Sequence, residues 1–156
     1  MNNFDSRAYR DTMGQYCTGV VIVTGNEGGR LVGFAAQSFV SLSLDPPLIA
    51  ICPAKTSTSW PRIRAVGHFG INVLADDQEA MSEVFAQAGR AADVPWTTNA
   101  TSAPRLAGVI AFVECDVVAE HDAGDHTVVV GRVLDFETLR PDTRPLLYFR
   151  GDYGVT

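Results

Sequence analysis

One short segment of the chain gathers groups that bind anions. Lys55 is the only lysine among 156 residues, and four hydroxyl side chains follow it directly, at Thr56, Ser57, Thr58 and Ser59. The segment lies between a predicted strand and a predicted helix, whose first N–H groups have no partner within the helix. A cation, hydroxyl donors and free N–H groups together favour a phosphate site. The alternative is a group of helix-capping hydroxyls beside a solvated lysine.

A second segment, residues 33–39, combines small side chains with two polar ones. Ala35 and Ala36 leave room beside the backbone, while Gln37 and Ser38 present an amide and a hydroxyl group. A flat ligand lying on such a strand would meet polar groups along its edge. The alternative is a strand whose small residues face a packed neighbour.

The third candidate is His126, which follows a predicted hairpin turn at residues 122–125. Asp122 and Asp125 flank the turn, and carboxylates close to a histidine raise its pKa. His126 is therefore either a ligand-contacting residue or an ordinary polar residue of the turn. None of the three histidines has metal-ligand spacing to a cysteine, so we expect no metal site.

Composition narrows the class of protein. The chain has 12 Lys+Arg against 18 Asp+Glu, a net charge of −6, which argues against nucleic-acid binding. Three well-separated cysteines indicate a reducing, cytoplasmic environment. No apolar run approaches the roughly 20 residues that span a bilayer, and the N-terminus lacks the pattern of a signal peptide. We expect one cytoplasmic domain over residues 1–156, with no nucleic-acid or membrane partner.

Several catalytic motifs are missing from the sequence. It contains no G-x-G-x-x-G between a strand and a helix, no Walker loop, no G-x-S-x-G elbow and no H-E-x-x-H. Hydrolase and zinc-enzyme functions are therefore disfavoured.

Periodicity predicts a mainly β chain with inserted helices. The strands are separated by helices without strict βαβ alternation, which favours a closed antiparallel barrel. A carboxylate capping box at Asp76 predicts the start of the last helix. The predicted helices are 5–16, 57–66 and 76–88; the predicted strands are 17–24, 31–43, 48–52, 69–74, 109–121, 126–137 and 146–149; and residues 89–107 are predicted to form a long surface loop.

The candidate segments, in this order, resemble the flavin reductase family with the FMN-binding split-barrel fold. The resemblance covers about residues 10–153. Two positions depart from the pattern, because Ala35 stands where the family usually has threonine and Gln37 stands where it often has serine or asparagine. The matching motifs lie at residues 18–24, 33–39, 41–47, 69–74, 124–126, 131–133 and 145–148, together with Cys115.

The resemblance implies a dimeric Greek-key-type split β-barrel with flavin bound near the subunit interface. It implies that His126 positions the nicotinamide. It also implies two groups of flavin-binding residues, with Cys52 completing the set: Ala35, Ala36, Gln37 and Ser38 along the ring system and ribityl chain, and Lys55, Ser57 and Thr58 at the phosphate.

The implied activity is an NAD(P)H-dependent flavin reductase, with FMN or FAD as the flavin and NADH or NADPH as the hydride donor. The reduced flavin would diffuse to a partner monooxygenase. One alternative is a flavoprotein with tightly bound FMN that reduces another acceptor, such as a ferric chelate. The other is a non-catalytic flavin-binding barrel. For the homodimer, we expect apolar contact area from Phe39, Tyr148, Phe149 and Tyr153.

Overall fold

The computed structural model of the chain describes residues 3–87, 91–98 and 103–154. No helix within these ranges is long and apolar enough to cross a membrane. The helices are α1 (Ser6–Met13), α2 (Trp60–Val66) and α3 (Glu79–Phe85), with a 3-10 turn at Ala91–Asp93. The strands are β1 (Thr18–Gly19), β2 (Val21–Glu27), β3 (Arg30–Ala36), β4 (Phe39–Leu44), β5 (Pro47–Ile51), β6 (His68–Val73), β7 (Trp96–Thr98), β8 (Pro104–Leu106), β9 (Ala111–Ala123), β10 (His126–Thr138), β11 (Leu147–Phe149) and β12 (Asp152–Tyr153).

Seven antiparallel strands form the main sheet, in the order β3-β2-β6-β9-β10-β5-β4. Its two edge strands, β3 and β4, are consecutive in the chain and are joined by Gln37 and Ser38. Smaller sheets are formed by β1, β11 and β12 and by β7 and β8. The prediction of a mainly β, antiparallel fold with inserted helices is therefore confirmed.

The long hairpin of β9 and β10 connects the two halves of the sheet. β9 pairs with β6, and β10 pairs with β5. The pairing with β5 continues beyond the end of that strand, because the Thr127 N–H donates to the Pro53 carbonyl at 3.0 Å and the Lys55 N–H donates to the Asp125 carbonyl at 2.9 Å. The segment after β5 is thereby held against the tip of the hairpin.

Two apolar clusters pack on the main sheet. The first takes residues from all seven strands, including Val32 of β3 and Ile51 of β5, and α2 adds Trp60. The indole of Trp60 meets the rings of Phe34 and Phe69 nearly edge-on, at centroid distances of 6.5 and 5.8 Å. The second cluster lies under α3 and the C-terminal strands.

Strand β10 packs closely against the first apolar cluster, and this contact requires a glycine at residue 131. A Cβ atom at this position would lie 2.8 Å from Cζ of Phe69. Any side chain at residue 131 would therefore push β10 away from the core that supports the hairpin.

Several predicted elements differ from the structure in their bounds. The predicted strand 31–43 is divided at Gln37 and Ser38 into β3 and β4, and the helices predicted at 5–16 and 57–66 are shorter than expected. Helix α3 begins at Glu79 rather than at Asp76, because the Asp76 N–H donates to the Arg144 carbonyl at 2.9 Å and the Asp77 carboxylate pairs with Arg140. Ala88, the predicted end of this helix, lies outside the described residues.

The predicted loop at 89–107 contains the short hairpin of β7 and β8 in its described part. Buried Asn72 holds that hairpin by accepting from the Leu106 N–H at 2.8 Å and donating to the Pro104 carbonyl at 3.3 Å.

A cluster of charged side chains, of which Glu114 is fully buried and Asp116 is exposed, joins β6 to β9. The ring of His68 lies between two carboxylates, with Nε2 at 2.7 Å from Oε1 of Glu114 and Nδ1 at 2.7 Å from Oδ1 of Asp116. Glu114 is fully buried and also accepts from the Ala103 N–H at 2.9 Å. Burial alone would lower the pKa of His68, but the hydrogen bonds to Asp116 and Glu114 raise it above its ordinary value. The protonated ring therefore compensates the buried carboxylate.

We expect His68→Gln to lower the free energy of unfolding by about 3 kcal/mol at pH 6, since it leaves Glu114 without its cationic partner. Folding raises the pKa of His68, so its stabilisation is complete below the unfolded pKa of about 6.5 and is lost as pH rises through the folded value. Urea unfolding should show a wild-type advantage that is largest below about pH 6.5 and shrinks as the pH rises above it. A difference independent of pH would contradict this assignment.

Candidate functional site

A cleft of about 350 Å³ opens where β3, the segment after β5 and the tip of the β9–β10 hairpin meet. Seven of the nine predicted site residues line this cleft: Ala35, Ala36, Gln37, Ser38, Cys52, Ser57 and His126. The other lining residues are Phe34, Pro53 and Ala54, and no carboxylate is among the lining residues.

Ser38 ties the β3–β4 junction to the end of β5. Its Oγ accepts from the Cys52 N–H at 3.0 Å and lies 3.4 Å from the Cys52 carbonyl, to which it donates. The hydroxyl is therefore engaged within the chain, and its effect is to hold two walls of the cleft together. Gln37 is oriented at the same wall, because its Oε1 accepts from the Thr18 hydroxyl at 3.1 Å.

The polar residues that follow β5 differ in their position relative to the cleft. Ser57 lines the cleft, and its Oγ accepts from the Trp60 N–H at 3.1 Å, so this serine also caps α2. Lys55 and Thr58 are exposed and lie outside the lining. The Lys55 ammonium forms an ion pair with Asp122 of β9. The structure thus supports the capping interpretation for Ser57 and places the lysine beside the cleft rather than in it.

His126 faces the cleft from the start of β10, in a backbone bridge with Ala54. Its Nδ1 lies 2.7 Å from Oδ1 of Asp125, which leaves Nε2 as the nitrogen directed to other partners. The hydrogen bond from His126 lowers the pKa of the Asp125 carboxyl, and the charges of His126 and Lys55 act in the same direction. The carboxylate thereby orients the imidazole.

A second cavity of about 190 Å³ lies on the other side of the end of β3 and shares Ala35, Ala36 and Gln37 with the cleft. Its far wall contains Tyr148 and Tyr153, whose ring centroids are 5.2 Å apart. Both tyrosines pack on the second apolar cluster of their own chain. Both remain half-buried in the single chain, so their contribution to a subunit interface stays a prediction.

Sequence reasoning missed Asp122 as the partner of Lys55 and Ala54 as the residue facing His126. The two members of each pair are 67 and 72 positions apart in the chain, and only the pairing of the segment after β5 with β10 brings them together. The signal that was present is the Asp122-Ala-Gly-Asp125 turn, which marks the hairpin tip but not what lies opposite it.

The arrangement suits a flat, anionic ligand. Small residues leave space beside the β3 backbone, hydroxyl and amide groups lie along one edge, and a cation lies at the rim. No acid–base pair of the described residues faces the cleft, so the site is fitted for binding and orienting partners that supply their own chemistry.

Comparison with known proteins agrees with this geometry. Residues 13–156 match the model of the flavin reductase like domain. The chain is 44% identical over 151 residues to the flavin-dependent monooxygenase reductase subunit HsaB of Rhodococcus jostii, covering 96% of this chain and 77% of that protein. It is 40% identical over 151 residues to the FMN reductase (NADH) SmoA of Agrobacterium fabrum, covering 96% and 86%.

A solved structure is similar along nearly the whole chain. The crystal structure of nitrilotriacetate monooxygenase component B from Mycobacterium thermoresistibile superposes with a TM-score of 0.91 at 42% identity, covering 96% of this chain and 86% of that one. The protein therefore belongs to the flavin reductase-like family.

We expect Lys55→Ala to weaken FMN binding by roughly ten- to a hundredfold while leaving riboflavin binding unchanged, because only FMN carries a phosphate for the ammonium to contact. Asp122→Asn is the matched control, since it removes the ion pair but keeps the cation. It should bind FMN at least as tightly as wild type. Fluorescence titration with both flavins measures these affinities, and equal losses for FMN and riboflavin in Lys55→Ala would contradict a phosphate contact.

Proposed function

We propose that this protein is a flavin reductase that transfers hydride from NADH to FMN and supplies the reduced flavin to a partner monooxygenase. The observation that carries the proposal is the similarity to HsaB and SmoA over 96% of the chain, combined with a cleft lined by seven of the predicted site residues. FAD is the second candidate flavin, and NADPH is the second candidate donor. Of the two donors, NADH is favoured because the similar protein SmoA is an FMN reductase (NADH).

In the proposed complex the flavin ring system lies along Ala35 and Ala36, with Gln37 and Ser38 at its polar edge. The ribityl chain passes Cys52, and the phosphate meets Ser57, Thr58 and the Lys55 ammonium at the rim. This placement is supported by the small side chains and by the absence of carboxylates from the described lining, since an acidic group would repel the phosphate. Thr58 is the least supported member, because it is exposed outside the cleft.

The nicotinamide and the flavin supply the hydride chemistry when both are bound. The chain must hold two rings in contact and keep water from between them, which lowers the entropic part of the barrier. His126 is proposed to contact the nicotinamide nucleotide through Nε2. Asp125 fixes the opposite ring nitrogen, so the imidazole needs little reorganisation when the nucleotide arrives.

We further propose that the main sheet closes as a Greek-key-type split barrel and that residues 1–156 form one domain. Supporting closure, residues of both edge strands, among them Val32 and Phe39, pack on the same apolar cluster. Supporting a cytoplasmic location, Cys17, Cys52 and Cys115 are all free thiols. A homodimer is proposed as well, with flavin bound near the interface.

The loss of NADH absorbance, followed with purified protein and added FMN, tests the proposed activity, because hydride transfer to the flavin oxidises the nicotinamide. We expect turnover that rises and saturates with free FMN, because the flavin is a released substrate. Turnover without added flavin by a yellow protein would favour a bound cofactor and another acceptor. No oxidation with FMN or FAD, and with NADH or NADPH, would contradict reductase activity and favour a non-catalytic binding protein.

His126→Ala should lower kcat/KM for NADH by about one to two orders of magnitude, the value of one orienting hydrogen bond in the transition state. FMN affinity should change little. His121→Ala is the control, because His121 is an exposed histidine on the same hairpin that does not line the cleft. Steady-state kinetics with varied NADH distinguish the roles. Weakened FMN binding with unchanged NADH kinetics would place His126 at the flavin instead, and wild-type kinetics throughout would make it a polar turn residue.

A further inference from the structure

Gln37 is an exposed side chain that belongs to two cavities. It lines the cleft and also the cavity of about 190 Å³ on the other side of the end of β3. Its main chain is held in place, because the Phe39 N–H donates to the Gln37 carbonyl at 3.1 Å and the neighbouring Ser38 is bonded to Cys52. The Gln37 amide can therefore contact a ligand in the cleft without movement of the backbone.

A glutamine at an exposed position does not by itself keep one orientation. Glutamine is among the side chains that lose the most rotamer freedom when they become ordered. In this chain Thr18 supplies the restraint, because its hydroxyl donates to Oε1 of Gln37 at 3.1 Å. The two residues are 19 positions apart, so the contact comes from the fold and not from neighbouring sequence.

Thr18 is itself firmly placed. It lies in β1, where it pairs with Tyr148 of β11 in an antiparallel ladder. Its side chain is half-buried and β-branched, so its χ1 angle has few allowed values. The hydrogen bond to Gln37 therefore connects the end of β3, in the main sheet, to a strand of the smaller sheet.

The bond to Thr18 determines which end of the Gln37 amide is left for a ligand. Oε1 faces the Thr18 hydroxyl, so Nε2, with its two N–H donors, is directed away from it. The Ser38 hydroxyl already accepts from the Cys52 N–H and donates to the Cys52 carbonyl. The wall formed by Gln37 and Ser38 thus presents a side-chain donor to the cleft.

We propose that Thr18 is a positioning residue for flavin recognition, because its hydroxyl holds Gln37 so that Nε2 donates to a carbonyl oxygen of the flavin ring. This inference rests on the flavin reductase function proposed above and names the group that recognises the ring. The polar edge of a flavin ring carries two carbonyl oxygens, which are acceptors, and a fixed N–H donor matches them. Thr18 acts through Gln37, since it does not itself line the cleft.

Fluorescence titration with FMN and with riboflavin tests the inference. Thr18→Val keeps the shape of the side chain and removes the hydroxyl. We expect it to weaken both flavins equally, by roughly three- to tenfold, because both contain the ring. Thr18→Ser keeps the hydroxyl and should bind both within about twofold of wild type. Thr138→Val is the matched control and should bind as wild type does, since Thr138 is exposed at the end of β10 and lines neither cavity.

A double-mutant cycle shows whether Thr18 acts through Gln37. Gln37→Leu removes the amide at similar size, and we expect it to weaken both flavins at least as much as Thr18→Val does. In the Gln37→Leu background, Thr18→Val should cause no further loss, because the group that it positions is already absent. Losses that add would mean that Thr18 supports the fold by another contact, and they would overturn the inference.

Infrared difference spectra of bound FMN give a readout that does not depend on turnover. A hydrogen bond to a carbonyl oxygen lowers the stretching frequency of that carbonyl. We therefore expect a ring carbonyl band to move to higher frequency in Thr18→Val and in Gln37→Leu, and to keep its position in Thr18→Ser. An unchanged band in Gln37→Leu would overturn the inference even if Thr18→Val did not fold, which circular dichroism checks.

Failure of this inference is distinguishable from failure of the proposed function. A wild-type protein that binds neither FMN nor riboflavin would overturn both. A wild-type protein that binds and reduces FMN, with additive losses in the cycle and an unchanged carbonyl band, would overturn only the role of Thr18.

Discussion

The backbone pairing between residues 53–55 and residues 125–127 determines the geometry of the candidate site. Two hydrogen bonds, from Thr127 to Pro53 and from Lys55 to Asp125, extend the β5–β10 ladder past the end of β5. A shift of one residue in this register would turn every side chain to the opposite face. His126 would then leave the cleft, and Lys55 would lose its position beside Asp122. The register is held in turn by the β10 core contacts around Gly131, which permit no side chain.

The other wall of the cleft depends on packing rather than on charge. The Trp60 indole packs edge-on against the Phe34 ring, and the Ser38 hydroxyl holds the turn between the two edge strands against Cys52. The result is a cleft whose lining contains no carboxylate, in a chain of net charge −6. This distribution suits an enzyme whose two substrates are both phosphorylated and bring the redox chemistry with them. Binding geometry and exclusion of water are then the main contributions of the protein.

Local sequence signals predicted those elements that local interactions determine. Helix α1 lies within the predicted range 5–16, and most of the strands lie where the periodicity of apolar residues predicted them. The failures arise from long-range contacts. The predicted capping box at Asp76 does not form, because the Asp76 N–H donates to the Arg144 carbonyl. The β7–β8 hairpin is held by hydrogen bonds with Asn72, which lies far from it in the sequence.

The same distinction between local signals and long-range contacts applies to the candidate site. The residues of the 33–39 segment were predictable from their small and polar types, and the structure brings most of them together with Ser57 and His126. The Lys55–Asp122 ion pair was not predictable, because only the strand register brings the two residues together. The internal packing of Tyr148 and Tyr153 was likewise invisible, since an aromatic side chain serves an interface or a core equally well.

Amide hydrogen exchange with and without FMN tests the central claim, that flavin binds where the β5–β10 pairing meets the end of β3. The account predicts slowed exchange at residues 34–38, 52–57 and 125–127, with no change around the separate cavity lined by Gly29, Val32 and Trp96. Slowed exchange only around the cavity lined by Gly29, Val32 and Trp96, with exchange at Lys55 and Thr127 unaltered by saturating FMN, would contradict this claim.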